Sequence, residues 1–283
     1  MFKLTSWIKE EKLNWDGLSS NPKAIYMLEQ NIDKINWYLI SENPGAMGII
    51  SDNIDKICWR RLSNNPSAIN LLENNIHKIN WFELSSNPNA MRLLEKYNSY
   101  IVWSKLSLNP SAIYLLEKNI SKINWDNLSS NPNAIELLKK YPDKINWYKL
   151  SGNPNAIELL SSNINKINWL MLSANPNAIS LLSENLRLVN ISMLSKNTGA
   201  IELLKKIKII NYKQLSSNIN NTDLIKYSHY IDWYLLSSNP SIFVYDYDKM
   251  RQPVYTKELI EKVYHPSRFT RYLLKYNYDM SEM

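Results

Sequence analysis

The sequence predicts an all-α fold, an α-solenoid of about ten to eleven 22-residue helix-turn-helix repeats with helical caps. The first observation is a tryptophan that returns every 22 residues, from Trp15 to Trp169. The second is that the residues after each of these tryptophans repeat the same polar and apolar pattern. The third is that the chain holds only 5 glycines and few valines and threonines, which favours helices over strands.

Positions in a unit are counted from its tryptophan. The recurring residues are Trp at 1, Leu at 4, Ser at 5, Asn at 7, Pro at 8, Ala at 10, Ile at 11, Leu at 13 and 14, Ile at 18, Lys at 20, Ile at 21 and Asn at 22. In the unit that begins at Trp147, we expect a short first helix from Lys144 to Ser151. Its expected buried side chains are Ile145, Trp147 and Leu150. Such a helix needs its neighbours, because isolated helices below about 12 residues are marginal in water.

A second helix is expected after the Asn-Pro pair at positions 7 and 8. In the same unit, Asn153 supplies an N-cap side chain and Pro154 takes the first helical position, where its missing N–H costs nothing. The core-facing stripe that helical spacing predicts consists of Ala156, Ile157, Leu160 and Ile164. Asn163 is the expected stop, because asparagine tolerates the left-handed conformation at a helix C-terminus.

Position 22 allows two interpretations. It holds asparagine in most of the regular units, with Cys58 and Val102 as the exceptions. If the first helix runs through it, the amides form a buried ladder between units, because an unpaired buried amide costs about 1–3 kcal/mol. In the other interpretation this asparagine is the N-cap of a helix that begins at the tryptophan. The sequence leaves both open.

The chain divides into four segments. They are an N-terminal cap (1–14), eight regular repeats (15–190), degenerate repeats (191–243) and a C-terminal helical cap (244–283). The pattern weakens where Ile191 replaces the tryptophan and where Thr198 and Ile219 replace the proline. Terminal units of such arrays are usually atypical, because one of their faces has no neighbour.

Charge and cysteine content argue against several classes of protein. The net charge is +7, but residues 15–190 are nearly balanced, with 17 basic and 15 acidic side chains. A nucleic-acid solenoid more often concentrates basic charge along its array. Cys58 is the single cysteine, so no intramolecular disulfide can form and we expect a reducing compartment. No apolar run approaches the roughly 20 residues of a membrane-spanning helix, and charges interrupt the start where a signal peptide needs an apolar core.

Two sequence motifs are distinctive enough to indicate a family. One is the repeated KINWxxLSxNPNAIxLL, and the other is the ending SSNPSIFVYDYDKM followed by ELIEKVYHPSRFTRYL, with its His-Pro-x-Arg step at 265–268. Together they resemble a family of tandem-repeat proteins encoded by giant DNA viruses, over nearly the whole chain. The resemblance implies a product made inside an infected eukaryotic cell, in the host cytoplasm or in the virion. It implies no reaction and no substrate.

No catalytic or metal-binding set of side chains stands out. His77, His229 and His265 are far apart in the chain, and none has a metal-ligand partner at a useful spacing. The tryptophans are expected to pack in the core, and the lysines at position 20 are expected to form a solvated stripe whose stems cover apolar surface. We therefore expect no enzyme activity, no cofactor, no metal, no small-molecule substrate and no membrane contact.

The positions that vary between units are the expected functional surface. Positions 2, 3 and 12 line up into stripes when units stack, and tyrosine, phenylalanine and arginine have the composition of interface hot spots. The candidate partner-binding residues are Tyr38, Arg60, Arg61, Phe82, Arg92, Lys105, Tyr114, Tyr148 and Lys149. The simpler alternative is that these positions vary because they are exposed and unconstrained.

The function that these observations favour is a non-enzymatic repeat scaffold that binds a protein partner along one face of the solenoid during giant-virus infection. One alternative is a helical-repeat protein that binds single-stranded RNA, with two or three side chains of each unit reading a base. Another is a structural component of the virion.

Overall fold

The computed structural model describes residues 2–220 and 229–250, and the chain divides into two compact bodies. The repeat body is Ser6–Ile242, and the terminal body is Met1–Thr5 with Phe243–Met283. Most of the expected C-terminal cap, residues 251–283, lies outside the described residues, as does the His-Pro-x-Arg step. The described part of the repeat body is helical, which confirms the predicted all-α repeat fold.

A first helix begins at position 1 of every unit. Its N-cap is the last residue of the preceding unit, which is position 22 in the regular units. In unit 7, for example, the side-chain oxygen of Asn146 accepts the Lys149 N–H at 3.1 Å. The N-cap interpretation of position 22 is therefore confirmed. Cys58 and Val102 lack a suitable oxygen and make no side-chain cap bond. In units 1 to 11 the first helices span Trp15–Ser19, Trp37–Ile40, Trp59–Asn64, Trp81–Leu84, Trp103–Leu106, Trp125–Ser129, Trp147–Ser151, Trp169–Ser173, Ile191–Lys196, Tyr212–Leu215 and Trp233–Ser238.

The first helix is shorter than the sequence prediction of Lys144 to Ser151. The segment Pro142–Lys144 is a separate 3-10 turn, Ile145 is extended, and the helix covers only Trp147–Ser151. The reason is the cap: Asn146 is extended at φ −85 and ψ 98, which breaks the helix before position 1. Ile145 is buried as expected, whereas the Trp147 side chain is half-buried.

The second helix begins later than predicted. In the same unit it spans Ile157–Ser161, with Ala156 as its N-cap residue. Asn153 does not cap it, because the side-chain oxygen of Asn153 accepts the N–H of Asn155 at 3.0 Å and closes a turn through Pro154.

The end of the second helix also differs from the prediction. Asn163 has φ −138 and is not left-handed; its Nδ2 donates to the Leu159 carbonyl at 2.9 Å instead. Ile164 starts a 3-10 turn and is 52% exposed, so it does not belong to the core stripe.

These elements recur along the chain. The described second helices span Ile25–Glu29, Met47–Asp52, Ile69–Glu73, Met91–Lys96, Ile113–Glu117, Ile135–Lys140, Ile157–Ser161, Ile179–Glu184 and Ile201–Ile207. The described 3-10 turns span Glu10–Lys12, Ile32–Lys34, Ile76–Lys78, Asn98–Tyr100, Ile120–Lys122, Pro142–Lys144, Ile164–Lys166, Leu186–Leu188 and Pro240–Ile242.

The core lies between the two helices of each unit and those of its neighbours. Leu150, Ala156 and Leu160, at positions 4, 10 and 14, are each 0% exposed, and their counterparts in the other regular units are also fully buried. Position 5 serine and position 7 asparagine are buried as well. Buried polar side chains require hydrogen-bond partners, so these two positions must bond within or between units.

The asparagine ladder runs through position 7 instead of position 22. Asn131 Nδ2 donates to the carbonyls of Ser107 at 3.1 Å and Asn109 at 2.9 Å, which are positions 5 and 7 of the preceding unit. Its Oδ1 accepts the Asn133 N–H at 3.0 Å. The same pair of inter-unit bonds is made by Asn21, Asn43, Asn65, Asn87, Asn109, Asn153, Asn175, Asn197, Asn218 and Asn239.

The serine at position 5 makes a second link between units. The Ser151 hydroxyl donates to the Trp147 carbonyl at 2.7 Å and accepts the backbone N–H of Asn168 at 2.9 Å. Each junction therefore joins the C-terminal turn of one first helix to the N-cap of the next. The bond needs only the backbone N–H at position 22, so Cys58 and Val102 also make it, with Ser41 and Ser85.

Unit 11 is joined to unit 1 by the same bonds. Asn21 Nδ2 donates to the carbonyls of Ser237 at 2.9 Å and Asn239 at 3.0 Å. The Asn14 N–H donates to the Ser237 hydroxyl at 2.9 Å. Because these are the bonds of every other junction, the repeat body is a closed ring of units.

The start of the repeat body supplies the second half of unit 11. Glu10–Lys12 forms a 3-10 turn like that at positions 18 to 20, and Asn14 caps the first helix of unit 1 by accepting the Gly17 N–H at 2.9 Å. Lys12 Nζ lies 5.5 Å from the ring centre of Trp233, as the lysine of other units lies over its own tryptophan. Residues 6–14 of the segment expected as an N-terminal cap thus complete a unit whose first half comes from residues 233–242.

Gly17 marks the junction between units 11 and 1. A Cβ at this position would lie 2.5 Å from the Tyr234 carbonyl oxygen and 2.8 Å from Ser237 Cβ. The other regular units carry larger residues at position 3, such as Lys149. The closing junction is therefore packed more tightly than a side chain at position 3 allows.

The terminal body contains a small antiparallel ribbon. Strand β1 (Phe2–Leu4) pairs with strand β2 (Phe243–Tyr245), with Phe2 opposite Tyr245. Lys3 Nζ lies 3.3 Å from Asp246 Oδ1 and 3.1 Å from Asp248 Oδ2. A short helix, Tyr247–Met250, follows β2.

Candidate partner-binding surface

Position 2 of the first helices is exposed in most regular units, whereas position 3 is half-buried in most of them and buried at Gly17. Leu at 4 and Ser at 5 point into the core, so the opposite side of this short helix carries position 2 towards solvent. Tyr38, Phe82 and Tyr148 occupy position 2 and are 48%, 45% and 47% exposed. Aromatic side chains held at this exposure offer a large apolar contact area.

Tyr38 is covered on one side by Arg61 of the next unit. The Arg61 guanidinium carbon lies 4.4 Å from the Tyr38 ring centre, and its Nη1 pairs with Glu42. Burial lowers the pKa of Arg61, but its hydrogen bonds to Tyr38 and Glu42 outweigh that cost and raise the pKa overall. Asn64 Nδ2 donates to the other Glu42 oxygen at 2.6 Å. Glu42 thus fixes the position of the guanidinium over the ring.

A second cluster follows on units 3 to 5. Arg60 donates from Nε to Glu83 Oε1 at 3.0 Å, and its Nη2 lies 2.9 Å from the same oxygen. Lys105 Nζ lies 3.7 Å from Glu83 Oε2 and 4.5 Å from the Phe82 ring centre. The Glu83 side chain is 17% exposed, so this carboxylate is the shared anchor for two cations.

These two clusters form one surface on units 2 to 5. We call it the aromatic–basic surface and define it as Tyr38, Glu42, Arg60, Arg61, Phe82, Glu83 and Lys105. The sequence prediction included five of these residues. It missed the two carboxylates, although a glutamate beside variable cationic positions is the signal that could have found them.

The other candidates lie elsewhere. Tyr148 and Lys149 are exposed on unit 7. Arg92 and Tyr114 are on second helices; Arg92 lines a concavity of about 260 Å³, and Tyr114 is 43% exposed with Lys118 Nζ 5.8 Å from its ring centre. The structure therefore brings five of the nine candidates together and leaves four apart.

The tryptophans are not core residues in the expected sense. All eight of the regular units hold a half-buried indole, and in most of them a lysine at position 20 lies over the ring. The lysine Nζ lies 4.5 Å from the ring centre for Lys34 and Trp15 and 5.0 Å for Lys56 and Trp37. It lies 4.6 Å from the ring centre for Lys78 and Trp59, Lys122 and Trp103, and Lys166 and Trp147. In unit 4, Tyr100 occupies the position of the lysine and stacks on Trp81. The two ring centres are 4.8 Å apart, and the angle between the ring planes is 16°.

This arrangement agrees with the predicted lysine stripe and has a physical reason. An ammonium group over an indole face gains about 0.5–1 kcal/mol at an exposed site, while its stem covers apolar surface. In the units that have this contact, the covered ring face is not open to a stacking ligand.

Two kinds of site are absent from the described ranges. Residues 2–220 and 229–250 contain no group of three or more His, Cys, Asp or Glu side chains that could hold a metal ion. In the same ranges, no helix has the length and apolar character needed to cross a membrane.

The class of protein that the fold defines is an α-solenoid of 22-residue units, here closed into a ring. Comparison of the chain with protein-family models, with curated proteins and with solved structures finds no match. Conclusions about function therefore depend on the residues themselves.

Proposed function

We propose that the chain is a non-enzymatic repeat scaffold that binds a protein partner through the aromatic–basic surface. The observation that carries the proposal is the fixed geometry of Arg61 over Tyr38 and of Lys105 over Phe82. Arginine and aromatic residues dominate protein interface hot spots. Side chains already held in place lose less conformational freedom on binding, which favours affinity.

The charge of this surface favours a protein over a nucleic acid. Glu42 and Glu83 lie among its three cations and pair with all of them. Phosphate binding gains most from unpaired cations that release counterions, and carboxylates at the centre of the surface oppose it. Single-stranded RNA binders also need open aromatic faces, whereas most indoles of the regular units have a lysine over the ring.

The resemblance to tandem-repeat proteins of giant DNA viruses supports a role inside an infected eukaryotic cell. A partner of viral or host origin fits the proposal equally. A place in the virion is the alternative, and mass spectrometry of purified virions distinguishes it.

Affinity purification with matched variants tests the proposal. One variant combines Arg61→Ala and Phe82→Ala on the aromatic–basic surface. The control combines Arg92→Ala and Tyr114→Ala, which removes the same kinds of side chain from the second helices. We expect a protein that co-purifies with the wild type and with the control from infected cells, and whose recovery falls at least about tenfold with the surface variant.

Two results would count against the proposal. One is recovery of the same proteins by all three chains, which would place the binding elsewhere. The other is filter binding of single-stranded RNA with a steep dependence on salt, lost in the surface variant, which would favour the RNA alternative.

A further inference from the structure

The lysine series at position 20 is replaced by exposed apolar residues in three consecutive units. Leu188 occupies this position in unit 8, and Ile209 and Tyr230 are its equivalents in units 9 and 10, which are one residue shorter than the regular units. Their side chains are 51%, 60% and 76% exposed. Each lies two residues before the N-cap of the next first helix, which Asn190, Asn211 and Asp232 provide. We call Leu188, Ile209 and Tyr230 the apolar strip.

Units 9 and 10 also differ from the regular units at position 1, whereas unit 8 keeps Trp169. Position 1 holds Ile191 in unit 9 and Tyr212 in unit 10 in place of tryptophan. A concavity of about 470 Å³ lies here, lined by Ile191, Ile210, Tyr212 and Tyr230 together with polar neighbours. In units 9 and 10, an apolar surface beside this concavity therefore replaces the contact between lysine and indole that most other units make.

The chain around the strip is basic. Residues 184–232, which span the strip, carry seven basic side chains against four acidic ones. Arg187 and Lys208 are sequence neighbours of Leu188 and Ile209, and Lys213 lines the concavity. The carboxylates in the described part of this stretch are Glu184, Glu202 and Asp232. Glu202 lies 2.8 Å from Lys205, and Asp232 lies 3.9 Å from Lys213. A ligand with apolar residues and negative flanks complements this sector.

We propose that the apolar strip binds an amphipathic helix with acidic flanks from a protein partner. Packed helices lie about 8–10 Å apart, so equivalent residues of consecutive units follow one another at about this interval. Residues one heptad apart on a helix are separated by about 10.5 Å. One apolar residue per heptad can therefore meet one strip residue per unit, and the concavity accepts one of these side chains.

This inference goes beyond the function proposed above. It shares no residue with the aromatic–basic surface, so either surface can fail its test while the other passes.

Fluorescence anisotropy with designed peptides tests the inference. The probe is a labelled peptide of about 21 residues, or three heptads, with leucine at the first and fourth position of each heptad and glutamate beside them. The comparison peptides have the same composition in permuted order, or lysine in place of glutamate. Vesicles of phosphatidylcholine and phosphatidylserine form the fourth arm, because an anionic membrane is the competing ligand for a basic apolar surface.

The main variant is Leu188→Lys with Ile209→Lys and Tyr230→Lys, which restores the residue that most other units carry at this position. Leu188→Lys alone, in unit 8, which keeps Trp169 at position 1, is the second variant. Circular dichroism checks that both variants fold. Tyr38→Ala on the aromatic–basic surface is the matched control.

We expect the wild type and Tyr38→Ala to bind the acidic amphipathic peptide and the triple variant to bind it at least about tenfold more weakly. The single variant should give a smaller loss in the same direction. Absence of saturable binding, equal binding of the permuted or lysine peptide, unchanged binding by the triple variant, or vesicle binding that the acidic peptide does not displace would each overturn the proposal.

Discussion

The asparagine ladder at position 7 makes the sharpest prediction about stability. Asn131 is fully buried, and its side chain makes three hydrogen bonds, two across the junction and one within its own turn. Replacement by alanine removes all three and leaves two carbonyls and one N–H without these partners. Replacement by aspartate keeps the shape but turns the donating amide into an oxygen that faces two carbonyl oxygens.

The expected loss in the free energy of unfolding follows from these bonds. A typical hydrogen bond contributes about 1 kcal/mol net, and more when its loss leaves a buried group unpaired, so Asn131→Ala should lower the free energy of unfolding by about 3 kcal/mol. Asn131→Asp should cost at least as much at neutral pH, because it also buries a charge without a cation. Asn133→Ala, which removes an exposed bond to the Pro110 carbonyl, should cost well under about 1 kcal/mol.

The aspartate variant also predicts a dependence on pH. Burial raises the pKa of the introduced carboxyl in the folded state above its unfolded value of about 3.9. The folded state then binds more protons between the two pKa values, so the free energy of unfolding falls as the pH rises through this window. The deficit relative to wild type should be largest near neutral pH and should narrow as the pH falls towards about 4.

Urea denaturation followed by circular dichroism measures these differences. If the array does not unfold in one cooperative step, the loss of local protection is measured by hydrogen exchange at the amides of Ser107 to Asn133. An Asn131→Ala cost equal to that of Asn133→Ala, or a pH-independent Asn131→Asp deficit, would refute the assignment of the ladder to this position.

Three further predictions concern the closing junction and the indole faces. Gly17→Leu should lower the free energy of unfolding by at least about 2 kcal/mol, because the added side chain meets backbone and side-chain atoms across the junction; Lys149→Leu, at the same position of unit 7, should change it by less than about 0.5 kcal/mol. Thermal unfolding of both compares them directly, and equal effects would contradict the tight junction. Deletion of residues 6–12, which leaves strand β1 in place, should lower the midpoint of thermal unfolding more than Lys149→Leu does, since it removes the 3-10 turn of unit 11. Lys166→Ala should cost about 0.5–1 kcal/mol in urea denaturation by uncovering the Trp147 ring, and no cost would show that the ammonium contact is incidental.

The repeat could be predicted from the sequence because its signals are local. The 22-residue period and the apolar spacing depend only on residues within one unit, and they specified helical units. The short first helix was extended too far because a run of apolar residues hides the break at Asn146. Its side chain favours the extended cap conformation over continuation of the helix.

The asparagine ladder and the closure of the ring could not be predicted from the sequence. Asn153 and Asn146 are both recurring asparagines, and their different partners depend on which backbone carbonyls of the preceding unit lie within reach. Closure depends on a small rotation at each junction that accumulates around the array. Gly17 was visible in the sequence, but its role appears only when unit 11 lies against it.

The candidate surface was predicted in part. Exposure at position 2 follows from its place opposite Leu at position 4, so Tyr38 and Phe82 were found. The pairings through Glu42 and Glu83 join residues of different units, and they depend on the stacking offset between units. The sequence alone does not specify that offset.

The closed ring is the central claim about the fold, and distances between units test it most directly. Fluorescence energy transfer is measured between cysteine-attached dyes at Asp16 in unit 1 and Tyr234 in unit 11, and in a second variant between Asp16 and Asp126 in unit 6, both with Cys58→Asn. In a closed ring the first pair is adjacent and the second pair is on opposite sides, so the first pair transfers more energy. In an open array, with about 8–10 Å per unit, unit 11 is about twice as far from unit 1 as unit 6 is. More energy transfer for the Asp16–Asp126 pair than for the Asp16–Tyr234 pair would therefore contradict the closed ring.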